Sequence, residues 1–86
     1  MANHKSAIKR ARQSEDQRVR NRSRKTRMKN VVRKLEESIS SKSRETASED
    51  LKLVVSVIEK TASKGVIHKN TAARKISRLT KRVNAL

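Results

Sequence analysis

Arginine and lysine side chains crowd the first third of the chain in a pattern suited to phosphate contact. Residues 1–34 carry 13 basic and two acidic side chains, with eight arginines and five lysines. A guanidinium group can donate two parallel hydrogen bonds to phosphate oxygens, which an ammonium group cannot do. On a helix, two sets of these cations would lie on nearly opposite sides, so the segment would be basic all round. One set comprises Arg18, Arg22, Lys25, Lys29 and Arg33, and the other comprises Arg20, Arg24 and Arg27.

A second basic surface is predicted near the other end of the chain, where residues 64–86 carry seven basic and no acidic side chains. Its candidate contact residues are His68, Lys69, Asn70, Arg74, Lys75 and Arg78. They begin at a predicted helix N-terminus, where free N–H groups also attract phosphate. Asn70 or a near neighbour is expected to cap this helix. For His68, an ordinary polar loop position and a ribose or phosphate contact are equally good interpretations.

The residue types that support catalysis or metal binding do not form a recognisable pattern. The chain has no cysteine, its two histidines are far apart, and its acidic residues fall mainly between residues 35 and 63. Neither a glycine-rich phosphate loop nor a nucleophile motif is present. The sequence therefore predicts a binding protein with no catalytic residues, no metal, no cofactor and no small-molecule substrate.

The elements that must position these cations are helices. Met28, Val31, Val32, Leu35 and Ile39 recur at steps of three and four residues, which predicts a first helix over about residues 5–40. Between residues 2 and 27 the only large apolar residues are Ile8 and Val19, so the first half of this helix is expected to project.

A serine-rich polar segment, residues 40–50, is expected to be a loop that ends in a capping box at residues 46–49. The second helix is expected over about residues 46–64. Leu51, Val54, Val55, Ile58 and Ala62 line one face of it, and Leu53 and Val57 widen that face. Such a broad apolar arc is typical of a helix that contacts both of its neighbours.

The chain's single glycine, Gly65, is predicted to end the second helix, because only glycine adopts the left-handed conformation without a Cβ penalty. The third helix is expected over about residues 68–85, with a narrow apolar seam formed by Ala72, Ile76, Leu79, Val83 and Leu86. Residues 1–86 are thus predicted to form one all-α domain, a three-helix bundle with an extended basic N-terminal helix.

The formal net charge of +16 indicates a polyanionic partner, because repulsion of that size is relieved by nucleic acid or an acidic membrane surface. The opening segment lacks the apolar run of a signal sequence, and no stretch approaches the length of a membrane span. We therefore expect a soluble, intracellular protein.

Three motifs resemble one protein family. They are MANHKSAIKRARQ at the start, RNRSRKTRM at residues 20–28, and GVIHKNTAARKISRLTKRVNAL at the end. Together they are similar to the S-twenty family of bacterial-type small-subunit ribosomal proteins. The resemblance implies a three-helix bundle that binds 16S ribosomal RNA directly, early in small-subunit assembly and near the bottom of its body. It implies no catalysis and a cytoplasmic ribosome, although an organellar or plastid ribosome would fit as well.

The resemblance also implies which residues face RNA. Carried over position by position, they are Lys5, Lys9, Arg10, Arg12, Arg22, Arg24, Lys25, His68, Lys69, Asn70, Arg74 and Arg78. Helical spacing and the second basic surface add Arg18, Lys29 and Lys75. The predicted contacts are with the phosphate backbone, so they bridge RNA segments without reading base sequence.

Two other functions are compatible with the charge alone. A histone-like or nucleoid DNA-binding protein would use the same cations, because phosphate contacts do not distinguish DNA from RNA. A membrane-surface peptide would use the apolar seam of the third helix, although the absence of tryptophan and phenylalanine weakens this interpretation. The family motifs favour RNA and no membrane partner.

Overall fold

Three α-helices account for most of the chain. The structure, a computed structural model, describes the backbone of residues 2–86 and the side chains of residues 5–86. Helix α1 spans Ala2–Ser40, α2 spans Arg44–Ser63 and α3 spans Lys69–Asn84, with no strand in the described part. The predicted all-α fold with a long first helix is confirmed. Helix α1 begins three residues, and α2 two residues, before the expected start.

The hydrophobic core lies where α2 packs between the other two helices. Leu35 of α1 and Val54 and Ile58 of α2 are fully buried. The other buried apolar residues are Met28, Ala47, Val57, Ala72, Leu79 and Val83. Helix α2 therefore contacts both neighbours, as its broad apolar face predicted. Leu53 departs from the prediction: it is 44% exposed, because neither neighbouring helix covers its side of α2.

The first half of α1 projects from this core. Every side chain from residue 5 to residue 20 is exposed, and the first buried residue after this stretch is Met28. The molecule measures 63 × 21 × 14 Å, and the 39-residue helix spans about 58 Å of that length at 1.5 Å per residue. We call residues 5–20 the arm.

The connection between α1 and α2 is shorter than the sequence suggested. Only residues 41–43 separate the helices, and Lys42 adopts a left-handed conformation with φ of 57°. The N–H of Lys42 donates to the carbonyl of Ile39 (3.0 Å), and that of Ser43 donates to the carbonyl of Ser38 (3.2 Å). These two bonds form a Schellman motif that closes the end of α1.

The predicted second helix is present but begins at Arg44, so the predicted loop is too long, and the predicted capping box at residues 46–49 is wrong. Ser43 is the N-cap of α2, and its hydroxyl donates to Thr46 Oγ1 (3.0 Å) instead of capping the backbone. Packing against α1 explains the early start of α2. Ala47 is fully buried, and the Ser38 hydroxyl donates to Asp50 Oδ2 (2.7 Å).

Gly65 ends α2 as predicted. Its φ is 75°, its N–H donates to the carbonyl of Ala62 (2.9 Å), and the N–H of Val66 donates to the carbonyl of Thr61 (3.2 Å). This is a second Schellman motif. It turns the chain so that α3 starts beside the end of α2 and runs back along the bundle.

Candidate nucleic-acid interface

The predicted cations of α1 lie on an exposed helical surface. Lys5, Lys9, Arg10, Arg12, Arg18, Arg22, Lys25 and Lys29 are all exposed, and Arg24 is half-buried. One face of the helix groups Arg18, Arg22 and Lys25 with the polar side chains of Gln17 and Asn21. Because the arm has no packing role, its charges are available to an anionic partner along its length.

One arm cation already has an anionic partner within the chain. Arg18 donates two hydrogen bonds to the Glu15 carboxylate, one turn earlier, at 2.7 Å and 3.1 Å. The bond and the positive charge of Arg18 hold the pKa of the Glu15 carboxyl below its ordinary value. Both side chains are more than half exposed, so the pair is accessible to solvent and to a competing phosphate.

The start of α3 is capped by a histidine. His68 occupies the N-cap, with φ of −72° and ψ of 145°, and its Nδ1 accepts a hydrogen bond from the backbone N–H of Asn70 (3.0 Å). A neutral ring that accepts at Nδ1 carries its proton on Nε2, which is then a donor on an exposed side chain. The N-cap of α3 is therefore His68, a near neighbour of Asn70, and not Asn70 itself. The side chain of Asn70 is exposed.

The remaining cations of α3 divide between two directions. Arg74 and Arg78 border a shallow surface with Ala73 and Ser77, while Lys75 and Arg78 border a groove between α3 and α1. All three predicted cations are exposed, as is Lys69 in the first turn. Arg82 lies further along the second groove, where its guanidinium is 3.7 Å from the Glu36 carboxylate of α1.

The structure adds a cationic groove that the sequence analysis missed. It has a volume of about 250 Å³ and lies between α1 and the end of α2. Its lining includes four cations: Arg24 and Arg27 from α1, Lys60 from α2, and Lys64, the C-cap of α2. Only Arg24 is among the predicted contacts. Counting charge by block hides Lys60 within the net negative segment 35–63, and it does not show that Arg27 and Lys64, from two separate basic blocks, lie together. The one available signal was the spacing of Lys60 and Lys64, which places both on one helical face.

Two further observations concern other kinds of site. Among residues 5–86, no three histidine, cysteine or acidic side chains lie close enough together to hold a metal ion. Within the described helices, none is both long and apolar enough to cross a membrane.

Comparison with known proteins gives one consistent result. A family model described as ribosomal protein S20 matches residues 2–84. A small ribosomal subunit protein bS20 from Syntrophobacter fumaroxidans is 74% identical over 86 residues, with 100% of both chains covered. Proteins of the same name from Desulfotalea psychrophila and Desulfatibacillum aliphaticivorans are 62% and 56% identical. These alignments cover 100% of this chain and 97% and 98% of those proteins.

Proposed function

The chain belongs to the ribosomal protein S20 family, and from this we propose that its cationic surfaces hold 16S ribosomal RNA in place within the small ribosomal subunit. It is a structural constituent of that subunit and binds its RNA. The named relatives are bacterial, which places the protein on the cytoplasmic ribosome. The family is one of structural proteins and not of enzymes, and we infer that this chain catalyses no reaction.

The observation that supports this function best is the exposed basic arm. A 16-residue stretch of helix with no buried side chain contributes nothing to the hydrophobic core, yet it carries six cations and two carboxylates. Repulsion among these cations makes the free arm unfavourable, and RNA phosphates relieve it. The arm is therefore best explained as a surface for a polyanion.

The position of α3 supports contact with more than one RNA segment. Its N-terminal turn follows the end of α2, which packs beside α1 at the level of Arg24 and Arg27. The arm extends from the bundle at this same level. RNA bound to the arm and RNA bound at the start of α3 would thus be held close together, and the protein would offset the repulsion between their phosphates.

The residues proposed to contact RNA are those named from the sequence: Lys5, Lys9, Arg10, Arg12, Arg18, Arg22, Arg24, Lys25, Lys29, His68, Lys69, Asn70, Arg74, Lys75 and Arg78. Their exposure supports the proposal, with Arg24 half-buried at the edge of the bundle. The chain has no phenylalanine, tyrosine or tryptophan on which bases could stack. Folded, double-stranded or junction RNA is therefore the better target than a single strand.

The affinity of such a complex should depend steeply on salt. If about 8–10 phosphates are contacted, binding should weaken about 10³- to 10⁵-fold between 50 and 200 mM salt. Binding releases counterions from the RNA, and this release becomes less favourable as the salt concentration rises. The family match favours ribosomal RNA over the nucleoid DNA that charge alone would permit.

A competition experiment with crosslinking tests the proposal. Purified protein would be offered 16S ribosomal RNA and duplex DNA of equal length at physiological salt. Ultraviolet crosslinks in lysate would then be mapped on both partners. We expect preference for the RNA and crosslinked peptides from both the arm and residues 68–78. Equal binding to DNA, or crosslinks scattered over unrelated RNA, would contradict it.

A further inference from the structure

The cationic groove between α1 and α2 is a separate place for phosphate. We propose that it binds the sugar-phosphate backbone of one RNA strand, with Arg24 and Arg27 on one side and Lys60 and Lys64 on the other. This inference rests on the proposed function, because it names a further contact surface for the same RNA. It adds three residues, Arg27, Lys60 and Lys64, to those predicted from the sequence.

The fold directs one arginine into this groove. Arg24 lies one turn before Met28 and three turns before Leu35, on the helical stripe that faces the core. Its guanidinium donates to Asn21 Oδ1 (3.3 Å), and both side chains are half-buried. The stripe thus changes from apolar to cationic where α1 leaves the bundle. The hydrogen bond from Arg24 also limits its rotamers, which lowers the entropy cost of binding a phosphate.

The groove cations form no ion pair with any described acidic side chain. The ion pairs in residues 5–86 are Glu15 with Arg18, Asp50 with Lys34, and Glu36 with Arg82. None of the four groove cations takes part in these pairs. Four positive charges therefore share one volume of about 250 Å³, an arrangement that repels itself and attracts a polyanion.

The shape of the groove suits a strand better than an isolated ion. Its lining also includes Val57 and Thr61, which are almost fully buried, and the Thr61 hydroxyl already donates to the carbonyl of Val57 (2.7 Å). The cations stand at the two walls, contributed by different helices. A lining that combines the aliphatic carbons of Val57 and Thr61 with four cations fits the alternation of sugars and phosphates along a nucleic-acid backbone.

Helix stabilisation does not account for the cluster. Lysines near a helix C-terminus interact favourably with its dipole, which is a sufficient role for Lys60 and Lys64 alone. However, the carbonyls of residues 60, 61 and 62 already accept hydrogen bonds from the N–H groups of residues 64, 66 and 65. Arg24 and Arg27 belong to α1 and would add repulsion at that end of α2.

The test compares charge-neutral variants of the full chain. Each groove variant replaces one cation by a neutral, polar glutamine. The three variants are Arg27→Gln, Lys60→Gln and Lys64→Gln. Lys52→Gln is the matched control, because Lys52 is an exposed lysine on α2 that does not line the groove. For each protein, the affinity for a 16S ribosomal RNA transcript is measured as a function of salt, and the unfolding midpoint is measured without RNA.

We expect each groove variant to bind about 3- to 10-fold more weakly at low salt and to lower the slope of log affinity against log salt by about one. Lys52→Gln should change neither quantity. The unfolding midpoint of Arg27→Gln should stay the same or rise, because mutual repulsion is reduced. For Lys60→Gln and Lys64→Gln it should change little, because the lost interaction with the α2 dipole offsets the reduced repulsion.

Two results would overturn the inference. One is an unchanged affinity and salt slope in all three groove variants. The other is a loss of affinity that only accompanies a lower unfolding midpoint, which would mean that the side-chain stems serve to cover Val57 and Thr61. The proposed function is tested separately, and it fails if the unmodified protein does not prefer 16S ribosomal RNA to duplex DNA. In that case, a reduced slope of log affinity against log salt in the groove variants would still support a phosphate site.

Discussion

Lys42 and Gly65 occupy the same position in two equivalent helix endings. Each is the second residue after the last residue of its helix, with φ of 57° for Lys42 and 75° for Gly65. In both, the N–H of this residue and of the next one close a Schellman motif. Glycine adopts this conformation without strain, whereas a lysine Cβ crowds the following carbonyl.

Replacing Lys42 by glycine should therefore stabilise the protein. We expect Lys42→Gly to raise the free energy of unfolding by about 0.5–1 kcal/mol. This net gain is the backbone strain that is relieved minus the cost of the greater conformational entropy of glycine in the unfolded chain. Urea unfolding of the full chain without RNA measures it. Ser41→Gly is the control: Ser41 does not have a positive φ, so the substitution should lower stability by a similar amount. Destabilisation by both substitutions would show that the conformation of Lys42 is not strained.

The hydrogen bond between Ser38 and Asp50 should stabilise the packing of α2 on α1. Ser38 is 8% exposed, and its hydroxyl lies 2.7 Å from Asp50 Oδ2. Ser38→Ala leaves this largely buried carboxylate with only Lys34, at 4.0 Å, as a charged partner. We expect a loss of about 1–3 kcal/mol in the free energy of unfolding, measured by thermal or urea denaturation.

Ser40→Ala is the control for that loss. Ser40 is exposed, lies in the same last turns of α1, and should change the stability by less than about 0.5 kcal/mol. Similar effects from the two substitutions would mean that helix propensity, and not the Ser38–Asp50 bond, determines the result.

The Glu15–Arg18 ion pair should weaken RNA binding. Glu15→Gln removes a negative charge from the arm and frees the Arg18 guanidinium, which now donates two hydrogen bonds to Glu15. We expect about a two- to fivefold gain in RNA affinity at low salt. The gain should shrink near physiological ionic strength, where the screening length is about 8 Å. Salt-dependent binding to a 16S RNA transcript measures both effects.

Asp16→Asn provides the matched comparison for Glu15→Gln. It removes the same charge from the same turn, but Asp16 forms no ion pair within the described side chains. Its gain in affinity should be smaller. Equal gains would show that only the net charge of the arm matters.

The pH dependence of Glu15 should reveal the same ion pair. Because Arg18 lowers the pKa of the Glu15 carboxyl, the pair supports the helix above the ordinary carboxyl pKa, and this support is lost as pH falls through the lowered value. Carboxyl ¹³C shifts measured by NMR should give a midpoint below the ordinary value for glutamate. In Arg18→Gln the midpoint should move back up, and an unchanged midpoint would contradict the assignment.

Amide exchange should distinguish the arm from the bundle. Without RNA, the amides of residues 5–20 have no tertiary packing over them and should exchange faster than those of residues 28–40. Binding of 16S RNA should slow exchange in the arm, while amides near Val54 and Ile58 serve as an internal reference. Uniform protection along α1 in the free protein would contradict this expectation.

The apolar periodicity, the single glycine and the charge distribution are local properties, so the sequence alone determined much of this fold. The stripe from Met28 to Ile39 predicted the bundle half of α1, and the lack of apolar residues before it predicted the arm. Gly65 predicted the end of α2 because one residue's conformation decides it. The resemblance to the family rests on the same continuous motifs.

Only the tertiary structure decided features that depend on two separate segments. Arg44 and Glu45 precede the predicted start of α2 in a polar, serine-rich segment, yet burial of Ala47 and the bond from Ser38 to Asp50 extend the helix to include them. Lys42 adopts the left-handed conformation that favours glycine, because the packing of α1 and α2 requires a tight turn there. The groove of Arg27, Lys60 and Lys64 joins residues more than 30 positions apart, and no local pattern encodes which helix faces meet.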